Sequence, residues 1–332
     1  MNRIFLWLSL SLGMLATASC GGGTKTTDPL VYEPVAPTFC EDSAYAYVEK
    51  QCSFGPRTMN SEAHAMCGEW IAEKFRSFGA TTIIQSAESK LYDGTVVSMQ
   101  NIIASMNPSA TVRVIISGHW DSRPWADNDP DESNHHTPID GANDGGSSIG
   151  VMLEIARQMA LQGDTCGVKV GIDFICWDAE DCGTPKFDDN AGIDNANTWC
   201  LGSQYWADNR HAEGYRARWG MNLDMVGGNN SQFKKEAYSM HYAPSYVDRI
   251  WSTARKLGYD NYFVNEDGGG VTDDHVQVNI SGIPCVDIIA NKSDDFGFPE
   301  TWHTINDNIS NISKNTLKAV GQTVMEVIWN EQ

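Results

Sequence analysis

The chain has 332 residues, of which 41% are hydrophobic and 20% charged, a globular composition long enough for one large core and requiring no second domain. Its 43 acidic and 23 basic residues give a formal net charge of −20, and no Lys/Arg-rich run is present, so a nucleic-acid partner is not expected.

The first segment stands apart in composition. Arg3 precedes the apolar run IFLWLSLSLGMLA and then TASC, the charged region, apolar region and small-residue cleavage site of a signal peptide over residues 1–19. The run is too short, and wrongly flanked, to span a membrane. The stretch TASCGGG resembles a bacterial lipobox, which makes Cys20 the acylated first residue of the mature protein. An ordinary signal-peptidase site is the competing reading. The following GGGTKTTDP reads as a flexible tether, so that 20–36 is a lipidated linker and 37–332 the working domain. The expectation is an exported protein, anchored in the bacterial cell envelope by lipid alone and facing the periplasm or the cell surface.

Ser61 caps a predicted helix with Cys67, Trp70, Ile71, Phe75 and Phe78 on one face, stopped by Gly79. Strand-like runs follow at 80–85, 98–105 and 112–118, the last a continuous apolar run suited to a strand buried on both faces. A polar loop over 120–145 leads to a helix from about 147 to 161. The strand VKVGIDFICWD ends in DAEDCG; a polar insertion and a helix near 203–211 separate it from the strand RARWGMNLDMVG. Ser245 opens a helix, a Gly-rich turn at 268–270 precedes VTDDH, IPCVDIIA at 283–290 is a strand, and a helix over 313–329 closes the chain. Strands alternating with helices predict a single α/β domain, a mixed and mostly parallel twisted sheet with helices on both faces.

Acidic and imidazole groups gather just after those strands: His119 and Asp121, Asp140 and Asp144, Asp178, Glu180 and Asp181, Asp224, and His303. Open α/β sheets place their sites at such ends. Carboxylates crowded there repel one another and are costly to desolvate, and a bound cation removes both costs. Oxygen and imidazole ligands together suit zinc, at roughly 2.0–2.2 Å. Any one of these acids taken alone reads equally well as a helix cap. His135 and His136 lie in an acidic, Asn-rich loop and read as solvated, and His64, His211 and His241 lie on helices or loops with no acidic motif at hand, so none of the five is expected to be a ligand. Without Cys20, eight cysteines remain; Cys182 and Cys200 bracket a polar loop and are the first candidates for a disulfide, with Cys40–Cys52 a weaker one.

The ordered segments GHWDSRP, DGANDGGSSIGVMLEIAR, DAED, NLDMVGG, DDHVQVNISGIP and WHTINDN resemble the zinc aminopeptidase-like superfamily, peptidase family M28, and within it the glutaminyl-peptide cyclotransferases, including bacterial lipoprotein forms. The resemblance runs from about residue 60 to the C-terminus. It implies one zinc per chain, held by Asp144, Asp181 and His303, with Glu180 as proton shuttle and Asp224 and Asp273 completing the catalytic hydrogen-bond network. It places Trp302 and Phe298 in the walls of the substrate pocket. The implied substrates are peptides or proteins with an N-terminal glutamine, cyclised to pyroglutamate with loss of ammonia, by a protein expected to be a monomer. The chain departs from many relatives in having Glu180-Asp181 for Glu-Glu, Gly118 for a cysteine, and no matching aromatic after the acidic pair, where Trp199 or Phe187 are candidate replacements.

The same scaffold in aminopeptidases binds two zincs and hydrolyses N-terminal residues. His119, as a ligand or beside Asp121 as a partner of the ligands, together with Asp144, Asp181, Asp224 and His303 would serve that reading too. The doubled Asp of VTDDH, the Trp of WHT and the preceding FPE favour the cyclase. A non-catalytic peptide-binding lipoprotein is a third reading, disfavoured because no ligand is missing.

Overall fold

The computed structural model describes residues 32–189, 191, 196–291 and 297–332. The expected signal peptide, Cys20 and residues 21–31 of the tether lie outside the described residues. Residues Pro34–Gln332 form one structural unit, and among the described residues no helix is long and apolar enough to cross a membrane.

In chain order the elements are α1 (Glu41–Cys52), α2 (Glu62–Ser77), β1 (Thr81–Lys90), β2 (Val96–Met106), β3 (Arg113–His119), α3 (Gly146–Gln162), β4 (Gly171–Trp177), α4 (Leu201–Asp208), β5 (Trp219–Asp224), β6 (Phe233–Lys235), α5 (Ala237–Tyr242), α6 (Pro244–Lys256), β7 (Phe263–Asp267), α7 (Asp274–Ile280), β8 (Cys285–Ile289) and α8 (Lys314–Trp329). Six strands form the main sheet in the order β1-β2-β4-β3-β5-β8. The last four in that order run parallel, while β2 pairs antiparallel with both β4 and β1. Strand β6 pairs with β7 in a small separate sheet.

The alternation of the central strands explains why both faces are covered. Val114 and Ile116 of β3, with Ile172, Phe174 and Cys176 of β4, join the large core containing Ile149, Met152 and Val320. Ile115, Ile175 and Trp177 point the other way, against Trp206 of α4 and Val278 of α7. Burying each such aliphatic side chain stabilises by roughly 1.5–3 kcal/mol, so neither face tolerates exposure. This makes β3 and β4 near-continuous apolar runs.

Ser61 accepts from His64 N, and Ser313 from Thr316 N, at the starts of α2 and α8. Two helix starts differ from expectation. Helix α6 begins at Pro244, whose fixed φ suits the first helical position, with Ala243 rather than a polar residue before it. Helix α4 begins at Leu201, two residues earlier than its periodicity predicts, because Cys200 hands the chain over from Glu180 in a left-handed conformation.

The carboxyl ends of the four parallel strands lie side by side. They bring His119, Asp178–Asp181 and Asp224 to one edge of the sheet, where α3 begins.

Candidate metal centre and active site

Backbone geometry concentrates at this edge. Among the described residues, seven other than glycine have positive φ; three are asparagines, which tolerate it. The other four are Ala179, Cys200, Met225 and His303, each beside or within the predicted site. Left-handed backbone in such residues costs energy and persists only where the surroundings impose it, commonly at functional sites.

Asp144 is placed by a turn that only glycine can complete. Gly145 has φ +82°, and a Cβ on it would lie 2.7 Å from Asp121 O and 3.0 Å from the His119 ring. Asp307 accepts from Asn143 N at 2.7 Å and from Asp144 N at 3.0 Å, fixing the turn from behind. Burial and the charge of Asp144 raise Asp307 to about 7.

Around Asp144 the ligand-type atoms form two groups. Asp144, Asp181 and His303 each offer an atom within 4.8 Å of the others, and so do His119, Asp144 and Asp224. His303 Nε2 stands 3.1 Å from Asp181 Oδ1 and 3.6 Å from Asp144 Oδ2. His119 Nε2 stands 2.9 Å from Asp144 Oδ1 and 3.3 Å from Asp224 Oδ1. Despite these distances His119 Nε2, Asp144 Oδ2, Asp181 Oδ2 and Asp224 Oδ1 are buried without a hydrogen-bond partner. Donor atoms that are close, buried and not bonded to one another suit a shared cation rather than a hydrogen-bonded cluster. Two unit charges 4 Å apart repel by about 4 kcal/mol at an effective dielectric of 20, so these carboxylates cannot all ionise without compensation.

The titration pattern carries the same message. Burial, with the charges of Asp144 and Asp273, raises Asp224 to about 7 against its contact with His119. Burial opposes a charge on His119, yet Asp121, Asp144 and Asp224 push its pKa well above the ordinary value. Burial raises Glu180 well above the carboxylate range, with Asp181, Asp273 and Asp274 adding to it and His119 opposing. A divalent ion reverses this logic by favouring the ionised acids.

Asp121 sits behind the acidic pair. Its two carboxylate oxygens accept from Glu180 N and Asp181 N, both at 3.1 Å, and Oδ1 lies 3.5 Å from His119 Nδ1. It orients its neighbours and belongs to neither three-residue group. Asp273 caps α7, and Asn222 Nδ2 donates to its Oδ2 at 2.7 Å. Ser117 Oγ donates to Asn222 Oδ1, which fixes the amide orientation. Glu180, Cys200 and Asp273 also bring polar atoms within 4.8 Å of one another.

Trp302 stacks on His303 at 3.8 Å between centroids, and Phe298 packs on Trp302 at 4.5 Å. The two candidate replacements for the missing aromatic differ in place. Trp199 lies parallel to the His303 ring, 6.1 Å away, whereas Phe187 is 38% exposed and packs on Trp125 and His136.

The expected disulfides are corrected. All eight described cysteines are free, Cys40 and Cys52 included. Cys182 and Cys200 do not bridge the loop because each thiol is turned to a different carboxylate: Cys182 Sγ to Asp121 Oδ2 at 3.7 Å, Cys200 Sγ to Glu180 Oε1 at 3.2 Å. Outside the site, His64 bonds Asp178 at 2.8 Å and stacks on Trp120, and His211 accepts from Trp206 Nε1.

Two residues of the loop after β3 were not singled out in the sequence. Arg123 grips Asp127 through two bonds of 2.7 Å and reaches Asp181 Oδ1 at 3.3 Å. Asp127 Oδ1 in turn lies 3.4 Å from His303 Nδ1, and bonds from Arg123 and His303 outweigh burial to hold it well below the usual carboxylate range. A carboxylate behind a ligating histidine sets its ring orientation. Asp127→Asn is expected to weaken metal retention about 10–100-fold. Competition with a chelator measures this, and unchanged affinity would remove Asp127 from that role.

Residues 101–328 match peptidase family M28, and the chain belongs to that family. Among solved structures, the glutaminyl cyclase of Bacteroides thetaiotaomicron bound to N-acetylhistamine is 51% identical, covers 90% of this chain and 100% of its own, and superposes with a TM-score of 0.86. A leucine aminopeptidase precursor from the same organism is 51% identical with the same coverage and a TM-score of 0.85. Among curated relatives, aminopeptidase YwaD of Bacillus subtilis is 27% identical over 83% of this chain, and bovine glutaminyl-peptide cyclotransferase 26% over 66%. The chain spans 54% and 63% of the lengths of those two relatives. Its relatives within the zinc-dependent M28 family thus include bacterial glutaminyl cyclases at about half identity and animal ones at about a quarter.

Proposed function

We infer that the chain is a glutaminyl-peptide cyclotransferase, an acyltransferase that closes the N-terminal glutamine of peptides and proteins to pyroglutamate. The observation that carries this reading is a glutaminyl cyclase that is 51% identical and covers 90% of the chain.

Asp144, Asp181 and His303 would hold one zinc ion per chain, their ligand-type atoms lying within 4.8 Å of one another. When bound, that ion supplies Lewis acidity to the γ-carbonyl oxygen of the substrate glutamine. The remaining work falls to the protein's own side chains. The substrate α-amine must be neutral to attack, and free α-amines have a pKa of roughly 7.7–8.0. Glu180 takes the proton that the amine sheds as its nitrogen bonds the γ-carbon. It then passes that proton to the γ-nitrogen, whose bond to carbon breaks and which leaves as ammonia. Asp224 and Asp273 hydrogen-bond the amine and the leaving nitrogen, with Asn222 holding Asp273 in place. Trp302 and Phe298 wall the pocket beside His303.

One observation favours a second reading. The group His119, Asp144 and Asp224 shares Asp144 with the first, an arrangement able to hold a second ion for aminopeptidase hydrolysis. Metal removal tests the reading. Dialysis against a chelator should abolish ammonia release from a Gln-initiated peptide, and one equivalent of zinc per chain should restore it. A requirement for two equivalents, or activity that survives in the metal-free protein, would contradict it.

The protein acts as an exported monomer, attached to the cell envelope through acylated Cys20. Mass spectrometry of the mature N-terminus should find that lipid; an unmodified start elsewhere rejects the anchor.

A further inference from the structure

The base assigned above is held by a thiol. Glu180 follows Ala179, whose φ is +54°, and the backbone of Glu180 is clamped at both ends. Its amide donates to Asp121 Oδ1 at 3.1 Å, and its carbonyl accepts from Cys200 N at 3.0 Å. The next two amides, of Leu201 and Gly202, donate to the carbonyls of Ala179 and Asp178 at 3.0 and 2.9 Å. Residues 178–180 and 200–202 are therefore laced together, and Cys200 sits opposite Glu180 in that lacing. From there the Cys200 thiol donates to Glu180 Oε1 at 3.2 Å.

Nothing local asks for cysteine at this position. Residue 200 has φ 54° and ψ 35°, where glycine or asparagine is least strained. It also precedes the first turn of α4, where Ser, Thr, Asp or Asn would cap the helix, yet its side chain makes no cap bond. The side chain is 1% exposed and points instead at the acid. The contact runs from the Cys200 sulfur to Glu180 Oε1, with the thiol as donor. Asp273 presents an oxygen within 4.8 Å of the same atoms, and a donor on Glu180 Oε1 fixes which way the acid faces in that crowded corner.

We propose that Cys200 is a positioning residue for cyclisation: its S–H fixes Glu180 Oε1, leaving Oε2 as the atom that exchanges protons with the substrate. This rests on Glu180 being the proton carrier. The balance of the reaction is unchanged, since the thiol keeps its proton throughout.

Three variants and one spectrum test it. Cys200→Ala and Cys200→Gly remove the donor and should each lower kcat about tenfold, the size of one lost hydrogen bond, with KM little changed. Cys200→Gly also relieves the left-handed backbone, so its Tm should equal or exceed that of the unaltered protein, which separates the kcat loss from damage to the fold. Cys200→Ser restores a donor and should recover most of the rate. In the infrared, the S–H stretch that disappears in Cys200→Ala should shift in Glu180→Gln. Undiminished kcat in the Ala and Gly variants overturns the proposal, as does failure of Ser to rescue or an S–H band indifferent to Glu180. If the unaltered protein releases no ammonia, the cyclase reading itself has failed. The infrared arm then decides the contact on its own: a shifted band upholds it and an unmoved band overturns it.

Discussion

Glu180→Gln is expected to lower ammonia release from a Gln-initiated peptide by about 100-fold or more while leaving metal content unchanged. The substitution keeps the shape of the side chain and the backbone bonds to Asp121 and Cys200 that place it. It removes the ability to accept a proton from the amine and return it to the leaving nitrogen. Positioned acid–base groups contribute about 10²–10⁴-fold, which sets the scale of the loss. Glu180 does not belong to the group formed by Asp144, Asp181 and His303, so metal analysis should read as before. Turnover within about tenfold of the starting rate would show that the proton moves by another route.

Asp144→Ala is expected to have the largest effect on the metal. Asp144 is common to both three-residue groups, so its loss dismantles each of them. Metal affinity should fall by more than the roughly 10–100-fold typical of losing a residue that merely supports a ligand. Ammonia release should vanish with it. Metal analysis after gel filtration, alongside Asp127→Asn as the milder comparison, checks this. Full occupancy in Asp144→Ala would remove Asp144 from the ligand set.

Much of the fold was legible because β3 and β4 are buried on both faces, and such strands leave an uninterrupted apolar signature. Weak or short patterns hid the rest. Helix α1 buries Ala44, Val48 and Gln51, too sparse and too polar a stripe to stand out. Helices α5 and α7 span less than two turns each. At the site, acids placed after strand ends could be read from order along the chain. Arg123, Asp127, Asp307 and Asn222 could not, because each acts on a residue distant in sequence through one side-chain contact: Arg123 on Asp181, Asp127 on His303, Asp307 on the Asp144 turn, Asn222 on Asp273. Cys182 and Cys200 show the limit most clearly. Spacing across a polar loop suggested a bridge, whereas left-handed backbone at Cys200 and the packing of Cys182 beside Asp121 turn the two thiols to separate carboxylates.

The most direct test compares two peptides that differ only in their first residue, glutamine or leucine, incubated with the zinc-loaded protein and read by product mass. The account predicts that the glutamine peptide loses one ammonia and keeps its length, while the leucine peptide is untouched. A product shortened by its first residue, from either peptide, would contradict it.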